Sequence, residues 1–468
     1  MTFKKCVAVS LCLALCSING IAQGNEQVIL TPQAFIEQIR TYHPVAKMAG
    51  INVKIAEAEL LSAKGGFDPY IDVDASRKTF DGKNYYHYSN PEFRIPTPFA
   101  LEVKTGLENN GGNLINPEAS TGRTSYLGLQ VPLAKGLLLD KRRAVLQQAK
   151  IFRRQSEQER LAVVNDLLFD AYAAYWHWAG YHRLNNLYSN FVDVANKRLR
   201  LVRIAYNNGD RAAIDTVEAL SPVQRYQLQQ SDALLQLNNA QLELANFLWL
   251  ANDSPYIVPP NYVPDSLQFA ADVVLPGLNQ LLQQSASENP ILRSNELKLA
   301  GLEVDRRLKF QNLLPTLNLN ANLLNKDYYV LKGYDAMLLQ NNYKWGIQFK
   351  LPLFMREGRG EYRKAQLKIK ETDLANAQKR WQIETKILSY YNEMALLQQQ
   401  LTTNESILTN NQALLRNEEL KFSQGESSLF LINTRETKVL ELLEKQVALR
   451  VKFLKSRYAV EWAAGLLR

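Results

Sequence analysis

Apolar and polar positions follow two rules along this chain. In short stretches they alternate with period two, and over very long stretches apolar residues recur at spacings of three and four. Leu317, Leu319, Ala321 and Leu323 alternate with Asn318, Asn320 and Asn322, and Trp345, Ile347, Phe349 and Leu351 alternate with Gly346, Gln348 and Lys350. Earlier, Ile71, Val73 and Ala75, then Leu101, Val103, Thr105 and Leu107, then Leu127, Leu129 and Val131 do the same. Period two gives a strand one apolar and one polar face. A soluble sandwich and a membrane barrel share that pattern. Tyr85, Tyr86, Tyr88, Tyr328, Tyr329 and Tyr334 crowd the connections, as in the aromatic girdle at a membrane interface.

The long stretches predict rods. Between Leu137 and Tyr206 there is no proline and one glycine, Gly180, and between Gly360 and Phe422 neither residue occurs. At 1.5 Å per residue each run spans roughly 100 Å. Leu184, Leu187, Phe191 and Val194, then Leu201 and Ala205 beyond a break at Arg198, form one apolar series. Leu374, Ala377 and Trp381, then Leu388, Tyr391 and Ala395 across Glu384, form the other. This is coiled-coil periodicity with polar interruptions. Gly209 and Gly425 stand where a helix C-cap is expected. A return helix of about 40 residues then runs to Trp249 or Trp462. Pro222 falls inside the first return helix, which predicts a kink or a local restart. Shorter helices are expected after Thr31-Pro32, from Val45 to Lys64 and from Ile291 to Asn312.

The order of elements repeats once. His43-Pro44 matches Asn289-Pro290, and Asp68-Pro69-Tyr70-Ile71-Asp72-Val73 matches Leu314-Pro315-Thr316-Leu317-Asn318-Leu319, both 246 positions on. Gln130-Val131-Pro132-Leu133 matches Lys350-Leu351-Pro352-Leu353 at 220. Tyr206-Asn207-Asn208-Gly209-Asp210 matches Phe422-Ser423-Gln424-Gly425-Glu426 at 216, and Trp249 matches Trp462 at 213. The expected organisation is a first repeat over 23–251, with strands in 68–133 and a helical hairpin over 136–251. A linker over 252–276, rich in proline at 255, 259, 260, 264 and 276, separates it from a second repeat over 277–468. There the strands fall in 314–353 and the hairpin over 357–467. A chain that enters and leaves a sheet on one side needs an even number of strands. One of the three segments in the first repeat is therefore expected in a loop, leaving about four strands per chain. That is too few to close around a channel, whereas three copies give about 12 strands and 12 helices.

Composition narrows the class. Of 468 residues, 46% are apolar, which excludes wholesale disorder. Lys4 and Lys5, an apolar run from Val7 to Leu15 and Gly20-Ile21-Ala22 read as a secretory signal over 1–22, cleaved after Ala22. Cys6, Cys12 and Cys16 are the only cysteines and lie inside it, so a disulfide scaffold and a cysteine zinc site are excluded. Cys12 and Cys16 follow leucines, a poor fit to lipidation. Taking Lys4 and Lys5 from the formal +9 leaves +7 on the mature chain. Acids and bases interleave, as in Asp140-Lys141-Arg142-Arg143, which is the habit of solvated helix faces and not of a nucleic-acid footprint. The four histidines, His43, His87, His177 and His182, make no metal motif, and no phosphate loop or nucleophile elbow occurs. Neither an enzyme nor a cofactor is expected.

The paired tips, 206–210 and 422–426, and the paired strand ends, Leu314-Pro315-Thr316, Val131-Pro132-Leu133 and Leu351-Pro352-Leu353, resemble those of the TolC-like outer-membrane efflux proteins over nearly the whole mature chain. The resemblance implies a mostly α fold with a β-barrel part. It implies a homotrimer whose 12-stranded barrel crosses the outer membrane, in contact with lipid, and continues as a helical barrel through the periplasm. Such a protein is a gated conduit for small toxic compounds or for secreted proteins, and opens by untwisting its tip helices. Its partners would be a periplasmic membrane-fusion adaptor and an inner-membrane pump or ABC-type exporter, with no nucleic acid. Adaptor docking would fall on Asn208, Gly209, Asp210, Gln424, Gly425 and Glu426.

Carried over from the tip glycines, the family's gate positions are Asp215, Phe422, Ser427, Leu431 and Thr434. Phe422 lacks the family's hydroxyl, and Ser427 replaces an arginine, so the corresponding salt bridge cannot form. Leu431 and Thr434 replace the aspartates of an acidic aperture. Three leucines would make an apolar constriction that gates by dewetting, or Leu431 packs in the helix seam. The alternative from another class is a structural periplasmic coiled-coil or adhesin-like protein with a small soluble β-domain. With the aspartates gone and a net positive chain, we predict weaker cation selectivity than in members with acidic apertures. Reversal potentials across a salt gradient measure it, and a strong cation preference would count against the leucine aperture.

Overall fold

The computed structural model describes residues 27–271, 277–328 and 341–468. The signal segment with its cysteines, Pro276, Tyr329 and Tyr334 lie outside the described residues. In the first half the elements are β1 (Val28–Leu30), α1 (Pro32–Tyr42), α2 (Pro44–Gly65), β2 (Tyr70–Phe80), β3 (Lys83–Pro96), β4 (Glu102–Gly111), β5 (Gly122–Pro132), α3 (Lys141–Asn207) and α4 (Ala213–Ala245). A connection carrying β6 (Tyr262–Pro264) and α5 (Ser266–Ala270) leads to α6 (Leu278–Glu288), α7 (Pro290–Gln311), β7 (Thr316–Lys326), β8 (Tyr343–Lys350), α8 (Arg356–Ser423) and α9 (Leu429–Ala464). Helices α1 and α6 both have 11 residues, α2 and α7 both have 22, and α3 and α8 have 67 and 68. The proline-rich connection is more ordered than a plain linker. Its β6 pairs in parallel with β1, and the buried Tyr175 hydroxyl donates to the Leu30 carbonyl (2.6 Å) and accepts from the Asp265 N–H (3.2 Å).

The sheet departs from the expected strand count. Six antiparallel strands run in the order β2-β3-β4-β5-β7-β8. No segment of the first repeat is relegated to a loop, and β3 is an additional strand. Its tyrosines, Tyr85, Tyr86 and Tyr88, lie inside the strand and not in a connection. The reason is the two-residue turn Asp81-Gly82, with φ of 49° and 67°. Two positive φ values match the right-handed twist of a tight hairpin, and Asp-Gly is the sequence that adopts them. Register then aligns the apolar positions. Ile71 pairs with Phe93, Phe93 with Thr105, Thr105 with Leu127, Leu127 with Leu323, and Leu323 with Tyr343. One rung nearer the helices, Ile95, Val103, Leu129, Ala321 and Trp345 are joined in the same way. One face of all six strands is thus apolar. Trp345 on it is 64% exposed and Ile71 71%.

The helices that join the sheet stand in the order α2-α3-α7-α8, with α2 and α8 at the two outer edges. Ala49, Ala56 and Ala63 of α2 are buried against α3, where small side chains at a seven-residue spacing let the rods approach closely. The main core lies where the hairpins meet α1 and the connection, around Phe35, Ile39, Tyr175, Trp176, Trp178, Leu244, Met394 and Phe453. The coiled-coil seam overlaps the apolar series read in the sequence only in part: Leu184, Leu187 and Phe191 pack against it, and beyond them the buried stripe departs from that series. In α3 it is Tyr188, Val192, Ala195, Leu199 and Val202, while Val194 and Leu201 are exposed. In α8 the buried residues include Ile387, Met394, Leu401 and Leu408, while Leu374 and Trp381 are exposed.

His43 caps α2 by accepting the Val45 N–H at Nδ1 (3.2 Å), and its Nε2 lies 3.3 Å from the Asn246 carbonyl oxygen. Both contacts are made only by the neutral ring with its proton on Nε2. Burial lowers its pKa, against the opposing pull of the Asn246 hydrogen bond. A depressed folded-state pKa means that the contribution is complete above the unfolded value near 6.5 and is lost as pH falls through the folded value. Asn289 caps α7 in the same way, accepting from Ile291 N–H at 3.0 Å. We therefore predict that His43→Asn keeps the cap, worth about 1 kcal/mol, and flattens the acid limb of stability. Thermal unfolding between pH 7 and pH 5 measures it, and an unchanged acid limb would refute the role of His43.

Candidate functional site

Both hairpins turn by the same backbone device. Gly209 and Gly425 each have φ of 84°. The Gly209 N–H bonds to the Tyr206 carbonyl and the Asp210 N–H to that of Ala205, and Gly425 and Glu426 repeat this with Phe422 and Lys421. The left-handed residue lets the last carbonyls of the helix find donors. A Cβ at either glycine would meet nothing within 4 Å, so the requirement for glycine is one of backbone conformation alone. Asn208, Gly209, Asp210, Gln424, Gly425 and Glu426 are all exposed.

Arg211 joins the two tips. Its guanidinium sits 4.5 Å from the Phe422 ring centroid and 4.0 Å from the Asp215 carboxylate. Asp215 and Phe422, two of the positions picked from the sequence, are thus brought together through a third residue. A cation on the ring face needs no hydroxyl on that ring. Ser427 takes part elsewhere and donates to Glu418 (2.5 Å). Leu431 and Thr434 lie on the exposed face of α9, whereas Leu429 and Ile432 fill the seam. Leu431 therefore does not pack in the seam of its own chain.

A buried polar link between the hairpins lies deeper. Arg198 of α3 donates to both carboxylate oxygens of Glu436 on α9 (2.7 and 2.9 Å). Glu436 is 2% exposed. Tyr226 of α4 donates to the same carboxylate (3.2 Å), and Arg225 donates to Thr437 (2.7 Å). Burial disfavours the Arg198 charge, but its hydrogen bonds and proximity to Glu436 outweigh this and raise its pKa. Burial and the Glu436 charge push the Tyr226 hydroxyl up to about 12, so it remains a donor. A buried charge persists only where such partners surround it.

Pro222 belongs to this link. Helix α4 runs through Pro222 without a restart. Proline has no N–H to offer the carbonyl four residues back, and that carbonyl, of Glu218, accepts from Asn433 Nδ2 of α9 (3.2 Å). The second hairpin thus supplies the bond that proline removes from the first. Arg198, Arg211, Asn433 and Glu436 were not among the candidate residues. Two signals pointed toward them, the polar break at Arg198 and the orphan carbonyl that Pro222 requires. Among the described residues no cluster of His, Cys, Asp or Glu could hold a metal ion, and no helix is long and apolar enough to cross a membrane.

Residues 95–248 match the family model of outer membrane efflux proteins. Solved structures share the fold over almost the full length. CusC superposes with a TM-score of 0.66 at 14% identity, covering 94% of this chain and 93% of its own. The outer membrane channel CmeC of Campylobacter jejuni gives 0.63 at 15%, covering 93% and 86%, and the open-state outer membrane channel MtrE of Neisseria gonorrhoeae gives 0.64 at 13%, covering 93% and 89%. No curated protein matches this chain significantly. At these identities the likeness to the solved structures is one of fold, and with the family match it bears out the resemblance to the TolC-like efflux proteins.

Arg198→Ala would leave Glu436 buried without its cation, at a cost of about 3–5 kcal/mol. We predict a lower unfolding temperature and faster amide exchange over 429–440. Arg198→Met combined with Glu436→Leu, which removes both charges, should recover most of that loss. Slow exchange in the single variant would show that the pair does not hold the hairpins together.

Proposed function

We propose that this chain forms the outer-membrane channel of a trans-envelope efflux or secretion assembly. It is a gated conduit without enzymatic activity, lying in the outer membrane and extending into the periplasm. The observation that carries this reading is the matching of open edges. β2 continues from α2 and β8 leads into α8, and these same elements form the two outer edges of the sheet and of the helical row. Among the described residues the outer edges of β2 and β8 pair with no strand. A sheet in lipid must satisfy every backbone group, so it closes. An edge of one kind meeting an edge of the other is a heterologous contact, and repetition of that contact generates a ring.

The exposed apolar residues favour the same closure. Leu367, Leu374 and Trp381, seven residues apart on α8, are exposed, as are Met48, Ile51 and Ile55 on α2. Helix α8 of one copy would pack against α2 of the next, in a homotrimer as the resemblance implies. The outward sheet face would meet lipid. In a soluble periplasmic coiled-coil protein, the second reading, that face would need a cover.

At the far end, the exposed tips would dock a periplasmic membrane-fusion adaptor, itself joined to an inner-membrane pump or ABC-type exporter. The links through Arg211 and Glu436 hold the second hairpin against the first. Opening would have to break or re-pair them. Leu431 and Thr434, exposed in one chain, would face the axis as the aperture, and the cargo would be small toxic compounds or secreted proteins.

An Ile51→Cys/Leu374→Cys double variant treated with a short thiol crosslinker should give a ladder ending at the trimer. The ladder should be absent from either single variant, in an outer-membrane fraction with heat-modifiable migration. A soluble periplasmic protein without the ladder would overturn the reading.

A further inference from the structure

Resting on the trimeric-channel reading, we propose that the membrane section is an 18-stranded barrel, six strands from each of three copies, with the β3–β4 hairpin built into its wall. The exit is then wider than that of a 12-stranded barrel.

Three observations place β3 and β4 in the wall. First, their apolar positions share the outward face of the other strands. Phe93 and Ile95 of β3 pair with Thr105 and Val103 of β4, and these pair with Leu127 and Leu129 of β5. A plug or a hairpin folded into the lumen has no reason to carry that face in register. Second, the inward face binds the hairpin to its neighbours. Tyr126 of β5 reaches across β4 and donates its hydroxyl to Glu92 of β3. It can do so because position 106 beneath it is glycine, where a Cβ would stand 2.7 Å from the tyrosine ring. Third, Arg142 at the start of α3 donates to Glu102 of β4 (3.2 Å). The inner turn of the added hairpin is thereby tied to the helical row, although no helix continues from it.

The widths agree. Four helices join the sheet in each copy, α2, α3, α7 and α8. At 8–10 Å between axes they span an arc of about 32–40 Å. Six strands about 4.8 Å apart and tilted 35–45° span about 35–41 Å. Six strands are therefore compatible in width with the four helices, whatever the number of copies. Strand direction also permits closure. β2 leaves the helical side and β8 returns to it, so β8 beside the β2 of the next copy is antiparallel and the alternation continues around the ring. A ring of three would be about 34–39 Å across at the backbone, against about 22–26 Å for 12 strands. In such a channel selection by size falls on the tips and not on the membrane exit.

Two measurements on the full chain in lipid nanodiscs test this. Native mass spectrometry counts the copies, and cryo-electron microscopy counts the strands. Three copies with 18 strands are expected. Three copies with a 12-stranded wall and the β3–β4 hairpin outside it would overturn the inference and leave the channel standing. Failure to form a membrane barrel would overturn the channel reading itself. Independently, single cysteines at Phe93 and Ile95 should react with a lipid-soluble thiol reagent as Trp345→Cys does, while Arg94→Cys and Lys104→Cys react with a water-soluble one. Equal water accessibility at positions 93 and 94 would remove β3 from the wall.

Discussion

In a bilayer every backbone N–H and C=O needs a partner within the protein. The sheet of the described residues, with six strands, two open edges and an apolar face, cannot meet that condition alone. Much else about this chain follows from that constraint. The edges have to be complementary and not alike, which is why the first sheet-bound helix and strand, α2 and β2, stand on one side and α8 and β8 on the other. The helical row inherits the same polarity, because each edge strand is continuous with an edge helix. Burial within one chain is accordingly modest along α2 and α8, where apolar residues at helical spacing remain uncovered. In the proposed assembly these residues complete their packing against another copy.

At the opposite end the forces change. In the proposed assembly no lipid presses on the tips, and beside an apolar cluster that Leu429 and Leu440 share with α3 and α4 the two hairpins are joined by specific, buried polar contacts. A carboxylate as enclosed as Glu436 is costly unless several donors meet it. Arg198 and Tyr226 do so, from two different helices. Such a cluster differs from an apolar seam in how it fails. Greasy contacts slide and re-form, whereas a displaced ion pair leaves its charges unpaired, so the arrangement tends toward two discrete states. Arg211, between an acidic side chain and an aromatic face, adds a shallower contact nearer to solvent.

The rods, the tips and the duplication were legible because they rest on local rules. A run without proline or glycine continues as a helix, and a glycine after it ends one. Two features were missed for different reasons. The Asp81-Gly82 turn is a local hairpin signal, but Tyr85, Tyr86 and Tyr88 shortly after it fit an interfacial girdle in a connection as well as they fit a strand. Parity then forced one real strand into a loop. The seam was followed only in part, through Leu184, Leu187 and Phe191 but not Val194 and Leu201, because both sides of α3 carry apolar positions. A 3–4 spacing can be traced along either stripe, and only tertiary contacts show which is buried inside the chain. The tip cluster joins residues more than two hundred positions apart, such as Arg198 and Glu436, and periodicity carries no information about such pairs.

The duplication also explains how a sheet can be widened without disturbing the rest. An added hairpin leaves and returns on the same side, so it changes neither the direction of the next strand nor the number of helices. β3 and β4 occupy such a place in the first half, while the second half has a single hairpin, β7–β8. The two halves therefore differ in strands and agree in helices, with α2 and α7 of equal length and α3 and α8 one residue apart. Had one strand been added in place of two, α3 would have started at the opposite end of the sheet and the helical row would have been lost. Strand number can thus vary in steps of two while the helical row and the tips stay fixed.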